Sequence, residues 1–449
     1  MGMRYFLSAV LALYFAFSCL AETPPAAVPT LEIPAAARPG PDFEVKAATD
    51  AWLATVPADK KARSDAYFEG GYWLQLWDFL LTAAIMLLLL QGRLSARIRD
   101  WAERVTARKN LQTLFYFVPF LLITVVLQFP LTLYEGYFRE HRYGLATQTF
   151  GPWLRDQLVG LLVTAVLGGI TVVVLFAIVR RLGARWWVWG AIVSIVFLAI
   201  TALIAPVYIA PLFNTYTKLN DARIKDPILS MARANGIPAT DVYEEDASRQ
   251  STRVSANVSG FLGTERITLN DNLLQRCTPE EIQTTMGHEM GHYVLHHVYK
   301  DILFYSLFFL VAFAFLNWSL NWAIARWGDS WQVRGITDVA VLPLGLLLLT
   351  IFFFVTTPIG NTWTRTLEYE ADIFGLNAAR QPDGEAAVDL KLGDYRKLDP
   401  GPIEEILFFD HPSGRTRITA AMRWKRENLN QLDEPSVRQA AGSSPEGRP

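Results

Sequence analysis

The sequence predicts a mainly α-helical, polytopic membrane protein, and two observations carry that prediction. Hydrophobic residues make up 51% of the chain, charged residues make up only 19%, and the mean hydropathy is +0.21. These values favour a membrane protein over a soluble enzyme of two or three domains. The hydrophobic residues are also gathered into long segments that have the length of membrane-crossing helices.

Six apolar segments are each long enough to cross a hydrocarbon core as a helix. A buried helix in a large soluble core is the alternative for any one of them, but six in one chain favour a membrane bundle. Retention of an apolar N-terminal segment would give seven transmembrane helices, and its removal would leave six. The six segments are 73–90, 114–134, 158–179, 187–208, 302–323 and 339–355.

The two ends of the chain differ from this pattern. Residues 1–21 contain one early arginine, Arg4, then an apolar run and small residues up to Ala21, which predicts a signal peptide or a first transmembrane anchor. Residues 22–72 begin rich in proline and alanine and predict an extended arm. Between these two ends, four transmembrane helices are predicted at 73–208. A polar domain follows in two halves, at 209–300 and 358–430, and a transmembrane hairpin at 301–357 separates the halves. The tail at 431–449 is predicted to be disordered.

Positive charge is concentrated in alternate loops, and this asymmetry predicts an orientation. The short loop at 135–153 lies between the second and third spans, on the other side of the membrane. Its only lysine or arginine residues are Arg139 and Arg142. The basic loops are therefore predicted to be cytoplasmic, so that 209–300 and the C-terminal part face outward, which in a bacterial inner membrane is the periplasm. The residues of the basic loops are Arg93, Arg97, Arg99, Arg104, Arg108, Lys109, Arg180, Arg181, Arg185, Arg326 and Arg334.

The pattern H-E-x-x-H occurs at residues 288–292. On a helix, residues four apart share a face, so His288 and His292 can hold one metal ion together. Glu289 projects about 100° away around the helix, close enough to act on a metal-bound water. The alternative is a polar helix face with two solvated histidines.

Local signals predict that this motif lies on a helix. Thr278 is the expected N-cap, Pro279 suits the first helical position, and Glu281 completes a capping box. Gly291 within the helix costs roughly 1 kcal/mol relative to alanine, which predicts a close packing neighbour.

A catalytic zinc site needs three protein ligands and one open position for water. Glu368 and Asp372 follow the last apolar segment and lie four apart, on one helix face. Glu368 is a candidate ligand, and Asp372 is a candidate acceptor for the second ring nitrogen of a ligating histidine. The residues alone leave open that Glu368, Glu370 and Asp372 form a solvated acidic face.

Taken together, these motifs resemble the integral-membrane zinc metallopeptidases of the CAAX prenyl endoprotease family, in their bacterial-type form. The resemblance extends from about residue 135 to 418, roughly two thirds of the chain. The matching pieces are His288-Glu-Met-Gly-His292 with His297 after it, Glu368-Tyr-Glu-Ala-Asp372, Ile209-Ala-Pro-Leu-Phe-Asn214, Arg266-Ile267 with Asp271, and His411-Pro412 with Arg417.

The resemblance implies a split zincin-like (gluzincin) domain and a helical bundle that encloses a chamber, with one zinc ion per chain. Glu289 would be the general base, Asp372 would orient a ligating histidine, and His411 would stabilise the oxyanion of the tetrahedral intermediate. The implied metal ligands are His288, His292 and Glu368, the implied catalytic residues are Glu289, His411 and Asp372, and the implied structural supports are Arg417 and His297.

The chain departs from the family at the substrate-binding edge strand. The family usually has Asn-Ala-x-x-x-Gly there, whereas this chain has Ser255, Ala256 and Asn257 at the start of the segment that ends in Gly260. Because an edge strand can hold a peptide by main-chain pairing, the change bears on substrate preference and not on the reaction. Family members also usually face the cytosol, in conflict with the loop charges, and we give precedence to the charges.

The sequence therefore predicts a membrane-embedded zinc metalloendopeptidase with peptide or protein substrates, including prenylated or membrane-associated ones as in CAAX-box protein processing. A close variant is a protease for quality control of membrane proteins. A scaffold or transporter with a structural zinc site is less favoured, since such a site needs no general base. The net charge of −2 gives no case for nucleic acid, and the two cysteines, Cys19 and Cys277, exclude a disulfide framework.

Overall fold

Long helices dominate the computed structural model, which describes residues 30–259 and 266–432. The predicted signal peptide or anchor at 1–21 and nearly all of the predicted tail lie outside the described residues. In the first half of the chain the helices are α1 (Val45–Leu53), α2 (Ala58–Gln91), α3 (Leu94–Val105), α4 (Lys109–Leu133, extended by a π-helical segment Tyr134–Arg139), α5 (Phe150–Leu182) and α6 (Trp186–Ile204). In the second half they are α7 (Ala222–Ala234), α8 (Asp271–Arg276), α9 (Pro279–Val294), α10 (His297–Trp331), α11 (Leu342–Ala379), α12 (Pro382–Leu392), α13 (Pro402–Phe408) and α14 (Gly414–Glu427).

Among the described residues, five stretches are long and apolar enough to cross a membrane, fewer than the six or seven predicted. The difference arises at Phe150–Thr201, which joins the third and fourth predicted spans into one stretch of 52 residues. At 1.5 Å per residue this stretch would measure about 78 Å, more than twice the hydrocarbon thickness. It consists of two helices, α5 and α6, which are divided at Gly183 with φ +48° and pack against each other.

The long apolar helices form a closed ring. Each packs on its two neighbours in the order α2, α4, α5, α6, α10 and α11, and α11 returns to α2. Toward one end of the ring the buried core includes Leu89, Tyr116 and Trp331. At the same end, Arg99 of α3 pairs with Asp338 at 2.6 Å, so that α3 is tied to the segment between α10 and α11. A closed ring of this kind is the arrangement that a central chamber requires.

The predicted extended arm proves to be helical over much of its length. α1 lies within it, and α2 begins at Ala58, well before the predicted start of the first span at residue 73. Trp52 and Phe43 are buried against Met422 of α14. The buried Lys425 of α14 donates to the carbonyl of Ala37 at 2.6 Å. A nine-residue helix is marginal by itself, and this tertiary packing, which the local sequence does not reveal, stabilises it.

A small four-stranded sheet stands beside α9. Its spatial order is β1-β2-β4-β3, where β1 is Tyr216–Lys218, β2 Val242–Glu245, β3 Ala256–Ser259 and β4 Arg266–Asn270. β1 and β3 run antiparallel to their neighbours, while β2 and β4 run parallel. β3 is an edge strand and packs on α9, so its free edge is the side available to an additional strand.

Candidate metal centre and active site

The helix that carries the H-E-x-x-H motif begins as predicted. The hydroxyl of Thr278 accepts from the amide of Glu281 at 3.3 Å, and the Glu281 carboxylate accepts from the amide of Thr278 at 2.6 Å. Pro279 is the first residue of α9. The predicted N-cap and capping box are therefore confirmed, and they define where the helix that carries the histidines begins.

Small residues let α9 and α11 cross at very short range. A Cβ on Gly287 would lie 3.0 Å from the carbonyl oxygen of Gly375, and a Cβ on Gly291 would lie 3.1 Å from the Cα of Ala371. The close packing neighbour predicted for Gly291 is therefore confirmed. This crossing brings His288 on α9 next to Glu368 on α11.

Three potential metal-binding side chains converge at this crossing. The Nε2 atoms of His288 and His292 are 3.1 Å apart, and they lie 3.2 and 3.5 Å from the two carboxylate oxygens of Glu368. Tetrahedral zinc with bonds near 2.0–2.1 Å would separate its ligand atoms by about 3.3 Å. Within the described residues this is the one group of three or more His, Cys, Asp or Glu side chains that could hold a metal ion. The donor set therefore fits zinc.

The electrostatics of the pocket favour a positive charge. Burial opposes protonation of His288, but hydrogen bonds to Asp372 and Glu368 outweigh it and raise the pKa of His288 to about 10. Burial and the neighbouring positive charge of His288 lower the pKa of His292 to about 4. A group of side chains that stabilises one positive charge among them is electrostatically suited to a metal ion.

His288 is held by a carboxylate, which is held in turn by an arginine. The Nδ1 atom of His288 lies 2.8 Å from Oδ1 of the buried Asp372. The guanidinium of Arg417 donates to both carboxylate oxygens of Asp372, with Nε to Oδ2 at 2.9 Å. This arrangement fixes the ring orientation that leaves Nε2 of His288 free to bind a metal.

His292 has a different kind of partner. Its Nδ1 atom lies 2.8 Å from Nδ1 of His297, the first residue of α10. His297 is buried, at 2% exposure. The residue predicted as a structural support thus contacts the second histidine directly.

Glu289 lies beside the donor cluster. It is half-buried, and no hydrogen bond to its carboxylate is found within the described part of the chain. Burial raises the pKa of Glu289 to about 7, although the charge of His288 opposes the rise. A carboxylate with a pKa near neutrality can both accept and release a proton.

His411 approaches the cluster from the loop between α13 and α14. Its Nε2 lies 3.4 Å from Oε2 of Glu368, and its Nδ1 lies 2.8 Å from Oδ1 of Asp410. Burial acts to raise the pKa of Asp410, but the hydrogen bond from His411 outweighs it and lowers that pKa. Asp410 was not predicted from the sequence, and its position next to His411-Pro412 was the available signal.

The three residues predicted to bind substrate lie at the start of β3. Ala256 and Asn257 belong to the strand, and Ser255 precedes it with its amide bonded to the side chain of Asn270 at 3.1 Å. Ser255 and Asn257 are exposed. Residues 260–265, which include the end of the predicted edge segment, lie outside the described residues.

Two further carboxylates, those of Glu385 and Asp389, lie within 4 Å of the guanidinium of Arg417, and neither was predicted from the sequence. Asp389 lies 3.3 Å from one guanidinium nitrogen, and Glu385 accepts from the hydroxyl of Thr284 on α9 at 2.5 Å. Burial raises the pKa of each of these two carboxyls. Their spacing of four residues on α12 was a signal for a shared face, but their contact with Arg417 arises from tertiary packing alone.

Two protein-family models match consecutive parts of the chain. A family model described as the N-terminal part of CAAX prenyl protease, with five membrane helices, matches residues 46–215. A model of peptidase family M48 matches residues 218–425, which contain every donor of the metal cluster. Together the two models cover most of the described chain.

Curated proteins and a solved structure show the same relationship. An uncharacterized metalloprotease of Bacillus subtilis, YhfN, is 31% identical over 77% of this chain and 80% of its own length. A CAAX prenyl protease 1 homolog of Oryza sativa is 27% identical over 69% of this chain and 73% of its own. The crystal structure of Ste24p from S. mikatae superposes with a TM-score of 0.70, covering 82% of this chain and 89% of that chain at 22% identity, which shows a shared fold.

Proposed function

The chain belongs to peptidase family M48 as a membrane zinc metalloprotease related to CAAX prenyl protease, and on this basis we propose that His288, His292 and Glu368 bind one zinc ion while Glu289 acts as the general base in peptide-bond hydrolysis. The family does not favour the scaffold or transporter interpretation. It implies a peptide or protein substrate and a multi-pass membrane location.

The observation that carries the residue assignment is the convergence of the donor atoms of three side chains from α9 and α11. Their separations of 3.1–3.5 Å suit one small metal ion, and Asp372 and His297 each occupy the other ring nitrogen of one histidine. Three protein ligands leave a position for water and substrate, as catalytic zinc sites require. A zinc ion bound there supplies a Lewis acid for water activation and carbonyl polarisation.

Glu289 supplies the proton transfers in the proposed reaction. As a carboxylate it accepts a proton from the attacking water, and as a carboxylic acid it returns that proton to the leaving amine. A pKa near 7 balances the two roles, since neither form is strongly favoured at neutral pH. General acid–base catalysis of this kind contributes on the order of 10²–10⁴ to a rate.

His411 is proposed to stabilise the negative oxygen that develops on the substrate carbonyl. Asp410 holds its Nδ1, which leaves Nε2 directed at the metal cluster near Glu368. A positioned imidazole N–H at this point is a donor of the type that forms oxyanion holes. Arg417 does not reach the reacting atoms and is proposed to act by holding Asp372.

The substrate is proposed to bind as an additional strand on the free edge of β3, beginning at Ser255, Ala256 and Asn257. Main-chain pairing would hold an extended peptide with little regard to its side chains. Such a site suits an endopeptidase that acts on unstructured segments near the bilayer. The relatives named as CAAX prenyl proteases make a prenylated C-terminal segment one substrate class to test.

Replacement of Glu289 tests the proposed reaction. We expect Glu289→Gln to lower kcat for a peptide substrate by about 10²–10⁴-fold, because the amide cannot accept a proton. Zinc content, measured by elemental analysis, should stay at one per chain, since Glu289 is not a proposed ligand. Activity equal to that of the wild type would contradict the mechanism.

Substrate mapping separates processing from quality control. Matched peptides with and without a prenylated cysteine, and an unfolded membrane protein, would be incubated with the enzyme in liposomes and the products sequenced by mass spectrometry. Cleavage at one defined position supports a processing protease. Cleavage of the unfolded protein at many positions favours the quality-control variant.

The catalytic side is proposed to face outward, to the periplasm of a bacterial inner membrane. The basic loops gather at one end of the helical ring, where Arg334 pairs with Glu103 at 3.0 Å and Arg99 with Asp338. Along α11, Glu368 is 26 residues beyond Leu342, or about 39 Å at 1.5 Å per residue. That distance exceeds the hydrocarbon thickness of about 30 Å, which supports opposite sides for the basic loops and the metal cluster.

A further inference from the structure

The hydrogen bond between His292 and His297 constrains where their protons lie. One ring nitrogen of the pair must be an N–H donor and the other a bare acceptor. If Nε2 of His292 binds zinc, its Nδ1 carries the proton and donates to Nδ1 of His297. The proton of a neutral His297 then lies on Nε2.

A buried histidine needs an acceptor for that proton. The side chain of His297 is 3% exposed, so solvent does not supply one. Oε2 of Glu370 lies 3.2 Å from Nε2 of His297 and can accept it. The same oxygen accepts from Nζ of Lys300 at 2.5 Å.

The backbone brings these groups together from three helices. His296 adopts a left-handed conformation with φ +57° between α9 and α10, and this bend turns the first residue of α10 back toward α9. The rings of His292 and His297 meet edge to face, with centroids 4.9 Å apart. Lys300 lies one turn further along α10, and Glu370 comes from α11.

We propose that Glu370 and Lys300 are positioning residues for the metal site. Glu370 selects the tautomer of His297 that accepts a hydrogen bond from His292, and Lys300 holds Glu370 in place. The inference rests on the proposed role of His292 as a zinc ligand. The alternative is that Glu370 and Lys300 form a simple surface ion pair. Such a pair would contribute little to the free energy of unfolding and would leave zinc affinity unchanged.

The test measures zinc affinity on the full chain in detergent, by competition between the apo protein and a chelator. Loss of an outer partner of a metal ligand typically lowers affinity 10–100-fold, so we expect Glu370→Ala to raise the Kd for zinc about 10-fold. Glu370→Gln, whose amide oxygen can accept the same proton, should stay within about threefold of wild type. Lys300→Met should raise the Kd by about threefold, because Glu370 stays but loses its support.

A matched control and a double variant complete the test. Glu69→Gln breaks another lysine–glutamate pair, with Lys397 at 2.6 Å, and should leave zinc affinity unchanged, because within the described residues neither member of that pair hydrogen-bonds to His292 or His297. In a His297→Ala background, Glu370→Ala should add no further loss, because its effect passes through His297. An additive loss, or wild-type affinity in Glu370→Ala, would overturn the inference. Failure of the wild-type protein itself to bind zinc would instead overturn the proposed function.

Discussion

Burial raises the pKa of the Glu289 carboxyl until it lies close to neutral pH. Its pKa is raised from 4.5 to about 7, and only the ionised form can accept the proton of water. The kcat/KM should therefore fall as the pH decreases through that pKa, about tenfold per pH unit on the acid side. A bound zinc cation favours the carboxylate, so the midpoint is expected at or below about 7.

The measurement is kcat/KM against pH, with zinc content determined at every point. The second measurement is the control, since protonation of His288 and His292 at low pH would release the metal and imitate the same loss. A kcat/KM that is independent of pH between about 5 and 7, at full zinc content, would contradict the assignment of Glu289 as a base with a raised pKa.

Local spacing could predict His288, Glu289 and His292, because one helix places them with respect to each other. Spacing alone could not choose between a ligand and a solvated acidic face for Glu368, and there the family resemblance favoured the ligand. The structure separates the acidic residues of α11: Asp372 is buried at 1% exposure, whereas the side chain of Glu370 is 41% exposed. Two residues advance a helix by about 200°, so Glu370 turns away from the metal-facing side to meet His297.

At the scale of elements, the site depends on how closely α9 and α11 can approach. A Cβ on Gly375 would lie 2.8 Å from the backbone nitrogen of His288, so an alanine there must push the two helices apart. We expect Gly375→Ala to cost about 1–3 kcal/mol of unfolding free energy and to weaken zinc binding. Thermal unfolding and chelator competition would measure the two effects.

Gly360 provides the matched control on the same helix. No atom lies within 4 Å of a Cβ built there, so Gly360→Ala should be neutral or stabilise by about 0.5–1 kcal/mol. Equal effects of the two substitutions would show that the close crossing at Gly375 does not determine the stability of the protein or its zinc affinity.

The N-terminal arm is the element that the sequence described least well. Proline and alanine near its start suggested an extended chain, but Trp52 is 3% exposed and packs with the helices around the site. We expect Trp52→Ala to destabilise the protein by about 3–5 kcal/mol, as large-to-small changes in a core do. Trp73→Ala is the control, because Trp73 is 64% exposed and should change the unfolding temperature little. A similar loss for both would contradict the packing role of the arm.

At the scale of the whole molecule, the sequence predicted nearly the right number of apolar segments, but it could not predict that these segments close into a ring. Hydropathy identifies each span separately, whereas the return of α11 to α2 depends on contacts between residues far apart in the chain. Phe79 on α2 stacks on Phe354 of α11 with ring centroids 4.3 Å apart. The ring matters for function because it fixes which chain segments emerge on the side of the metal cluster.

That arrangement makes the topology testable with reporter fusions after Lys109, after Asn220 and at the C-terminus. Alkaline phosphatase is active outside the cytoplasm and green fluorescent protein inside it, so each position is tested with both. We expect Lys109 to report the cytoplasm, and Asn220 and the C-terminus to report the outside, because the basic loops and the metal cluster lie at opposite ends of α11. The reverse pattern would place the active site in the cytosol and show that the loop charges do not set the orientation. Identical reports from Lys109 and Asn220 would contradict the arrangement of the spans itself, since an odd number of crossings must separate the two positions if the proposal is correct.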